Sequence, residues 1–207
     1  MSGEHFPTNK MPHQPIRWLG ERTMKTVERN IVYACVDVAF RDSATGALFF
    51  PNRIAEPQSG AWFMGGRQAY NEGFQENASV KAEQDLGIEI PSLRFEHIAT
   101  YSTPFSVAST SRRGHGRHTT NVVMLAELDE DEVASLNEQV ASGKIDGKEY
   151  NGGQWYSPDQ FEEMADPDSE FPFAIKQFIR DLSDHDLLKE ARAVKALQTN
   201  EQRSKTS

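Results

Sequence analysis

Between Trp62 and Ile90 the chain reads WFMGGRQAYNEGFQENASVKAEQDLGIEI, and this order leaves the backbone few options. The adjacent glycines Gly65 and Gly66 let main chain approach a ligand closely, and Arg67 follows them. Glu72–Leu86 then reads as a helix, and Gly87 stands where a helix C-terminal glycine belongs. The segment predicts a loop, a helix and a second loop. Lys81, Gln84 and Asp85 share one helix face by i, i+3, i+4 spacing, while Glu76 and Glu83 lie opposite and read as solvated charges.

The flanking sequence alternates strand and turn signals. Asn30–Phe40 is β-branched and apolar and reads as a buried strand; DSATG is a turn, and ALFF begins a second strand. After the central helix, a strand is expected over Leu93–Tyr101, a basic loop over Ser106–His118 and a strong strand over Thr119–Leu128. Asp129–Val140 reads as a helix with acids in its first turn. The loop GKIDGKEYNGG leads to a short strand, Gln154–Tyr156, and Ser157 with Pro158 signals a helix start. Phe171–Leu188 is amphipathic and helical. Residues 1–15 are expected as a flexible arm, 16–195 as one domain with a short helix in Ile16–Glu28, and 196–207 as a disordered tail. Strands with one helix among them and others at the end imply α/β layering.

The bulk numbers exclude several classes. A chain of 207 residues suits one domain, and its net charge of −9 argues against general nucleic-acid binding, which leaves a basic footprint. Cys35 is the single cysteine, so no internal disulfide framework exists; in its apolar run it reads as a small buried hydrophobe. No apolar run approaches the roughly 20 residues of a spanning helix, and MSGEHFPTNKMPHQP lacks the apolar stretch of a signal peptide. These features predict a cytoplasmic protein with neither a nucleic-acid nor a membrane partner.

The central spacing resembles the Nudix box: Gly, five residues, Glu, seven residues, then Arg-Glu-aliphatic-x-Glu-Glu-x-Gly-aliphatic. Counting from Gly66, Glu72 is in register, Ala82 fills the first aliphatic slot, and Gly87 with Ile88 closes the pattern. Val80 stands in the Arg slot, Lys81 in the next Glu slot, and Gln84 and Asp85 in the paired Glu slots. Asp85 is thus one carboxylate where the family carries three. Within the family, the chain is similar to the GDP-mannose mannosyl hydrolases. The resemblance rests on ACVDVAF, ALFFPNR, QSGAWFMGGR (with Met64 at the usual proline), TTNVVML and GGQWYSPDQF, from about Thr26 to about Phe178. That branch itself carries an incomplete box.

The resemblance implies a Nudix-like α/β/α sandwich with a mixed β-sheet. It implies a nucleoside diphosphate sugar or related nucleoside diphosphate derivative as small-molecule partner, Mg²⁺ (or Mn²⁺) as cofactor, and a homodimer packed through the N-terminal segment. It assigns the metal to a backbone carbonyl at Gly65 or Gly66, to Asp85 and to Glu149; the plain alternative for Asp85 is a surface acid. Lys81 on that face either repels a cation or pairs directly with phosphate. Glu72 supports the loop. Arg53 and Arg67 grip diphosphate oxygens and stabilise the leaving group, or are surface ion pairs. Asp37, an acid inside an apolar strand, faces solvent or holds a partner, and matches an acid near the branch's sugar pocket. Arg112, Arg113 and Arg117 with His115 and His118 form a basic loop in an acidic chain. That loop is either a lid over substrate, with Arg112 and Arg117 contacting it, or a solvated surface segment. The branch's histidine base is replaced by Tyr150, a poor base with an ordinary pKa of about 10. The role then falls to Glu149, His115 or His118, or the reaction differs. Two functions follow: a Mg²⁺-dependent hydrolase, or a catalytically silent module that binds a nucleotide or sugar.

Overall fold

Burial on both faces makes the first strand the centre of the molecule. In the computed structural model, which describes Thr23 and residues 31–105, 117–145 and 147–205, β1 spans Tyr33–Asp42 and residues 35–40 are all buried. The arm over 1–15, nearly all of the expected helix Ile16–Glu28, and Arg112, Arg113 and His115 lie outside the described residues. One face of β1 presents Val36, Val38 and Phe40 to Ala78, Ala82 and Leu86 of α1 (Phe74–Leu86) and Leu136 of α2 (Glu130–Ala141). The other presents Ala39, beside Val123 and Leu125 of β6 (Arg117–Leu128), to Ile175, Phe178 and Ile179 of α4 (Phe173–Lys205). Period-two alternation thus loads both faces, and helices cover both. This is the expected α/β/α sandwich.

The sheet is mixed. β1 runs parallel to β6 from Tyr33↔Thr119 to Asp42↔Leu128, and β6 pairs antiparallel with β5 (Glu96–Phe105). The other edge of β1 is divided. Phe40 and Arg41 pair with β2 (Leu48–Arg53), whereas Cys35–Val38 pair with β4 (Met64–Arg67). β2 continues outward to β3 (Gly60–Ala61) and β7 (Tyr150–Tyr156). The fork where β2 and β4 share one edge is the feature that positions the site. Phe63, just before β4, meets Phe178 edge-on at 5.2 Å and Phe50 at 5.7 Å. Burial of each such ring contributes roughly 1.5–3 kcal/mol, so β4 is anchored to the α4 layer at its start.

Several boundaries differ from the sequence expectation. The central helix begins at Phe74, not Glu72, because Asn71 adopts φ 68° and Gly73 is the N-cap. Glu72 stays in the loop and accepts a hydrogen bond from Asn77 Nδ2 at 2.8 Å. Gly87 ends the helix with φ 68°, its N–H bonding the Glu83 carbonyl at 2.8 Å. Leu93 belongs to a 3₁₀ turn (Ser92–Arg94) and is 87% exposed, so the next strand starts only at Glu96. The late strand starts at Tyr150 rather than Gln154. A 3₁₀ turn (Pro158–Gln160) precedes the short α3 (Phe161–Ala165), and α4 continues beyond residue 196 to Lys205. No described helix is long and apolar enough to cross a membrane.

Candidate functional site

Gly65 is required because β4 passes unusually close to β1 at that residue. Gly65 pairs with Asp37 and Gly66 with Val36. A Cβ on Gly65 would stand 2.3 Å from the Val36 carbonyl oxygen and 2.8 Å from Asp37 Oδ1. The close approach opens a cavity of about 430 Å³ in the fork between β2 and β4, within the size range of small-molecule sites. Its walls include Cys35 and Asp37 from β1, Arg53 from β2, Gly65–Arg67 from β4, Lys81 and Asp85 from α1, Arg117 from β6, and Glu149 with Tyr150 at the start of β7. Thr119, Asn121, Trp62, Phe63 and Phe105 complete much of the lining.

Of the expected site residues, the fold therefore gathers Asp37, Arg53, Gly66, Arg67, Asp85, Arg117 and Glu149 around one space. Gln84 is exposed and does not line it, although it shares a turn with Lys81 and Asp85. His118 is also absent from the lining; its Nε2 is 2.8 Å from Ser102 Oγ on the neighbouring strand. His118 alternates with Arg117 across the pleat, so the strand that directs Arg117 inward turns the histidine away.

Asp37 holds a partner rather than facing solvent. It is 5% exposed, and Asn121 Nδ2 donates to its Oδ2 at 2.8 Å, while Thr119 Oγ1 donates to Asn121 Oδ1. Burial pushes the carboxyl up to about 7, opposed by the Asn121 hydrogen bond and the Arg53 guanidinium. The folded state thus keeps a proton that an unfolded aspartate, titrating near 3.8, has released. Stability should fall as pH rises from about 4 to about 7 and level off above. Asp37→Asn keeps an acceptor for Asn121 and removes the buried charge. It should be more stable than wild type at pH 8 by a few kcal/mol, because each tenfold change in proton affinity is worth about 1.4 kcal/mol, with the gap closing towards pH 4. Denaturant titrations of both proteins across that range measure it, and parallel curves would refute it.

Arg53 is held in place. Its side chain is 12% exposed, and Nη2 donates to Glu149 Oε2 at 3.2 Å and to the Glu56 carbonyl at 3.3 Å. Its Nε is buried without a hydrogen-bond partner among the described residues. Arg67 places its guanidinium carbon 4.6 Å from the Tyr33 ring centroid, a cation–π arrangement that fixes its direction. Tyr150 is buried, its hydroxyl donates to the Phe63 carbonyl at 3.4 Å, and burial pushes its pKa well up. It bridges the two sides of the fork as a structural hydroxyl and is unsuited to act as a base.

Cys35 is buried as expected, yet it also borders the cavity. Burial first, then the nearby Asp37 charge, raise its thiol from 9.0 to about 12. Native thiolate is then roughly a thousandfold scarcer than for an ordinary thiol, and the thiolate is the reactive form. A thiol reagent at pH 7.5 should leave the native protein unlabelled for hours and label it fully in denaturant. Rapid native labelling would contradict this environment.

Four cations (Arg53, Arg67, Lys81, Arg117) thus face three carboxylates (Asp37, Asp85, Glu149) in a chain whose net charge is −9. A locally positive concavity in an acidic protein selects anions.

No protein-family model and no curated protein matches the chain. Solved structures do. The MutT protein of Methanosarcina mazei Go1 is 14% identical over 75% of this chain and 95% of its own, with a TM-score of 0.50. The NUDIX domain of Shewanella oneidensis NrtR complexed with ADP ribose is 13% identical over 75% of this chain and 89% of its own, also at 0.50. The chain has the Nudix fold. Shewanella oneidensis NrtR complexed with a 27mer DNA matches 73% of this chain and 61% of its own at 15% identity and the same TM-score. At such identities the likeness is one of architecture, and function must be argued from the site.

A Nudix enzyme holds a divalent ion between the box helix and the double-glycine strand. The residues here do not fit that ion. The Lys81 ammonium lies 3.5 Å from where a Cβ of Gly66 would stand, so a cation already occupies the glycine side of the cavity. Glu149 is paired with Arg53. Among the described residues, no group of three His, Cys, Asp or Glu side chains is placed to hold a metal. Mg²⁺ accepts few protein ligands but needs oxygens in octahedral array, and an ammonium beside it opposes binding. Asp85 and Glu149 reach the same cavity, as a metal site requires, but in the company of side chains that oppose one.

Sequence reasoning missed Asn121, Thr119 and Phe63 as lining residues. Asn121 and Thr119 did carry one usable signal: polar residues two apart in an otherwise apolar strand project to one face.

Proposed function

We propose that this Nudix-fold chain binds a nucleoside diphosphate derivative, a nucleoside diphosphate sugar or an ADP-ribose-like molecule, and acts as a binding or regulatory module. The observation that carries this reading is the ring of four cationic side chains around a cavity of about 430 Å³ beside a glycine pair. Arg53 and Arg67 provide planar forks for diphosphate oxygens, and Asp37 with Asn121 provides polar groups at the floor for hydroxyls of the ligand. Among the described residues, three candidate bases at the cavity are already engaged: Glu149 by Arg53, Asp37 by Asn121, and Tyr150 by the Phe63 carbonyl.

The second reading is a Mg²⁺- or Mn²⁺-dependent hydrolase of a GDP-mannose-like substrate. The observation in its favour is that Asp85 and Glu149 line one cavity. Calorimetry with GDP-mannose, ADP-ribose and related diphosphates, paired with assays for released phosphate and sugar in Mg²⁺ and Mn²⁺, separates the two. Binding without product release is the expected result. Metal-dependent turnover abolished by Asp85→Asn would establish the hydrolase instead, and failure of every compound to bind would end the proposal.

A further inference from the structure

We infer that Lys81 takes the place of the divalent ion, so that the cavity holds a diphosphate without metal. The inference rests on the reading of the cavity as a diphosphate site. Its own observation is the position of the ammonium. Lys81 projects from the third turn of α1, is half-buried, and brings Nζ to 3.5 Å from the Cβ position that Gly66 lacks. The missing side chain leaves main chain open to a phosphate oxygen, and the ammonium stands beside that opening.

Charge explains why the exchange is complete. In the pattern that the sequence resembles, this slot carries a glutamate, which reaches phosphate only through a bridging cation. Lysine in the same slot reverses the sign and binds phosphate oxygen directly. An ion-binding carboxylate is lost and a positive charge gained in one substitution, so divalent affinity falls as direct phosphate affinity rises. Arg53, Arg67 and Arg117 border the same space, and with Lys81 they set four positive charges against the three carboxylates of the lining. Among the described residues, Lys81 makes no hydrogen bond or ion pair that would have to break first.

The test uses the full chain with ADP as probe, in EDTA and in Mg²⁺, together with Mn²⁺ alone followed by the loss of its free electron-spin signal. The wild type should bind ADP equally in both buffers and leave Mn²⁺ free. Lys81→Gln should weaken ADP binding in EDTA by about 10- to 100-fold, the range for a hydrogen bond between charged groups. Lys81→Glu should go further, losing metal-free binding and acquiring both Mn²⁺ binding and Mg²⁺-dependent ADP binding. Wild-type binding that requires Mg²⁺, or an unchanged affinity in Lys81→Gln, overturns the inference while leaving the diphosphate site standing. No ADP binding under either condition removes both. The wild-type comparison needs no variant, so it decides even if a substitution disturbs the helix.

Discussion

Arg53→Ala should weaken binding of a nucleoside diphosphate by roughly 100-fold while changing the unfolding free energy by less than about 1 kcal/mol. The two effects separate because of where the groups around Arg53 lie. Its partner Glu149 is 45% exposed, so loss of the pair returns a carboxylate to water at little cost, as with other accessible ion pairs. The binding effect is larger because the guanidinium is already desolvated. Its buried Nε has no partner among the described residues, and an unsatisfied buried donor costs about 1–3 kcal/mol. An anion that enters the cavity gains a charge-assisted bond from a guanidinium that has already left water. Arg53→Lys should recover only part of the affinity, since an ammonium lacks the fork. Glu149→Gln sharpens the distinction between functions. In a binding module, removal of its negative charge strengthens the positive field and should tighten anion binding several-fold. In a hydrolase, it would abolish turnover. Calorimetric affinities with denaturant midpoints for the three variants measure all of this. An Arg53→Ala protein of wild-type affinity would place the ligand elsewhere.

Local rules made some of the fold legible and left the site half visible. Gly87 was readable because helix termination by a left-handed glycine is a matter of a few neighbouring residues, and it has that conformation. The helix start at Asp129 was read equally locally, from acids in its first turn, and the structure adds a capping box there, with both reciprocal hydrogen bonds between Asp129 and Glu132 at 3.0 Å. The end of the late strand, Gln154–Tyr156, was readable, but its start was not, because Asn151-Gly152-Gly153 spells a turn. The strand nevertheless starts at Tyr150, which pairs with Arg53 of β2, and after an irregularity Gly153 pairs with Pro51, so close to Phe49 that a Cβ would stand 2.4 Å from its ring. Here tertiary context overrides local propensity. The Asp37–Asn121 pair is the same lesson at the site. An acid in an apolar strand demanded a partner, but only the parallel register of β1 on β6, which brings Cys35 level with Asn121, says which residue it is. Lys81 was visible as a departure from a pattern. Its consequence depended on the distance to Gly66, which the sequence does not contain.

The adjacent glycines should respond to alanine in opposite ways. Gly65→Ala should cost about 3 kcal/mol or more of stability, the upper end for an overpacked core and a large share of the roughly 5–15 kcal/mol typical of a domain. The added methyl would stand 2.3 Å from the Val36 carbonyl oxygen and 2.8 Å from Asp37 Cα. Both are backbone atoms of the central strand, which is locked to β6 along its whole length and cannot retreat. β4 must move instead, which breaks the pairing of Gly65 with Asp37 and Gly66 with Val36. It also draws Met64, fully buried against the α1 layer, out of its packing. At Gly66, by contrast, an alanine methyl would meet only Lys81 Cε and Nζ, both at 3.5 Å, an ordinary contact with the end of a flexible side chain. Gly66→Ala should therefore fold with nearly wild-type stability and still lose diphosphate binding by about tenfold or more, of the order of one lost charged hydrogen bond, because the methyl fills the opening beside the ammonium. Denaturant midpoints and ADP calorimetry on the two variants give a crossed result: one protein weak in stability, the other weak in binding. Equal midpoints would mean that the strands are not as close as the geometry requires. Unimpaired binding by Gly66→Ala would mean that no phosphate comes to rest against that glycine.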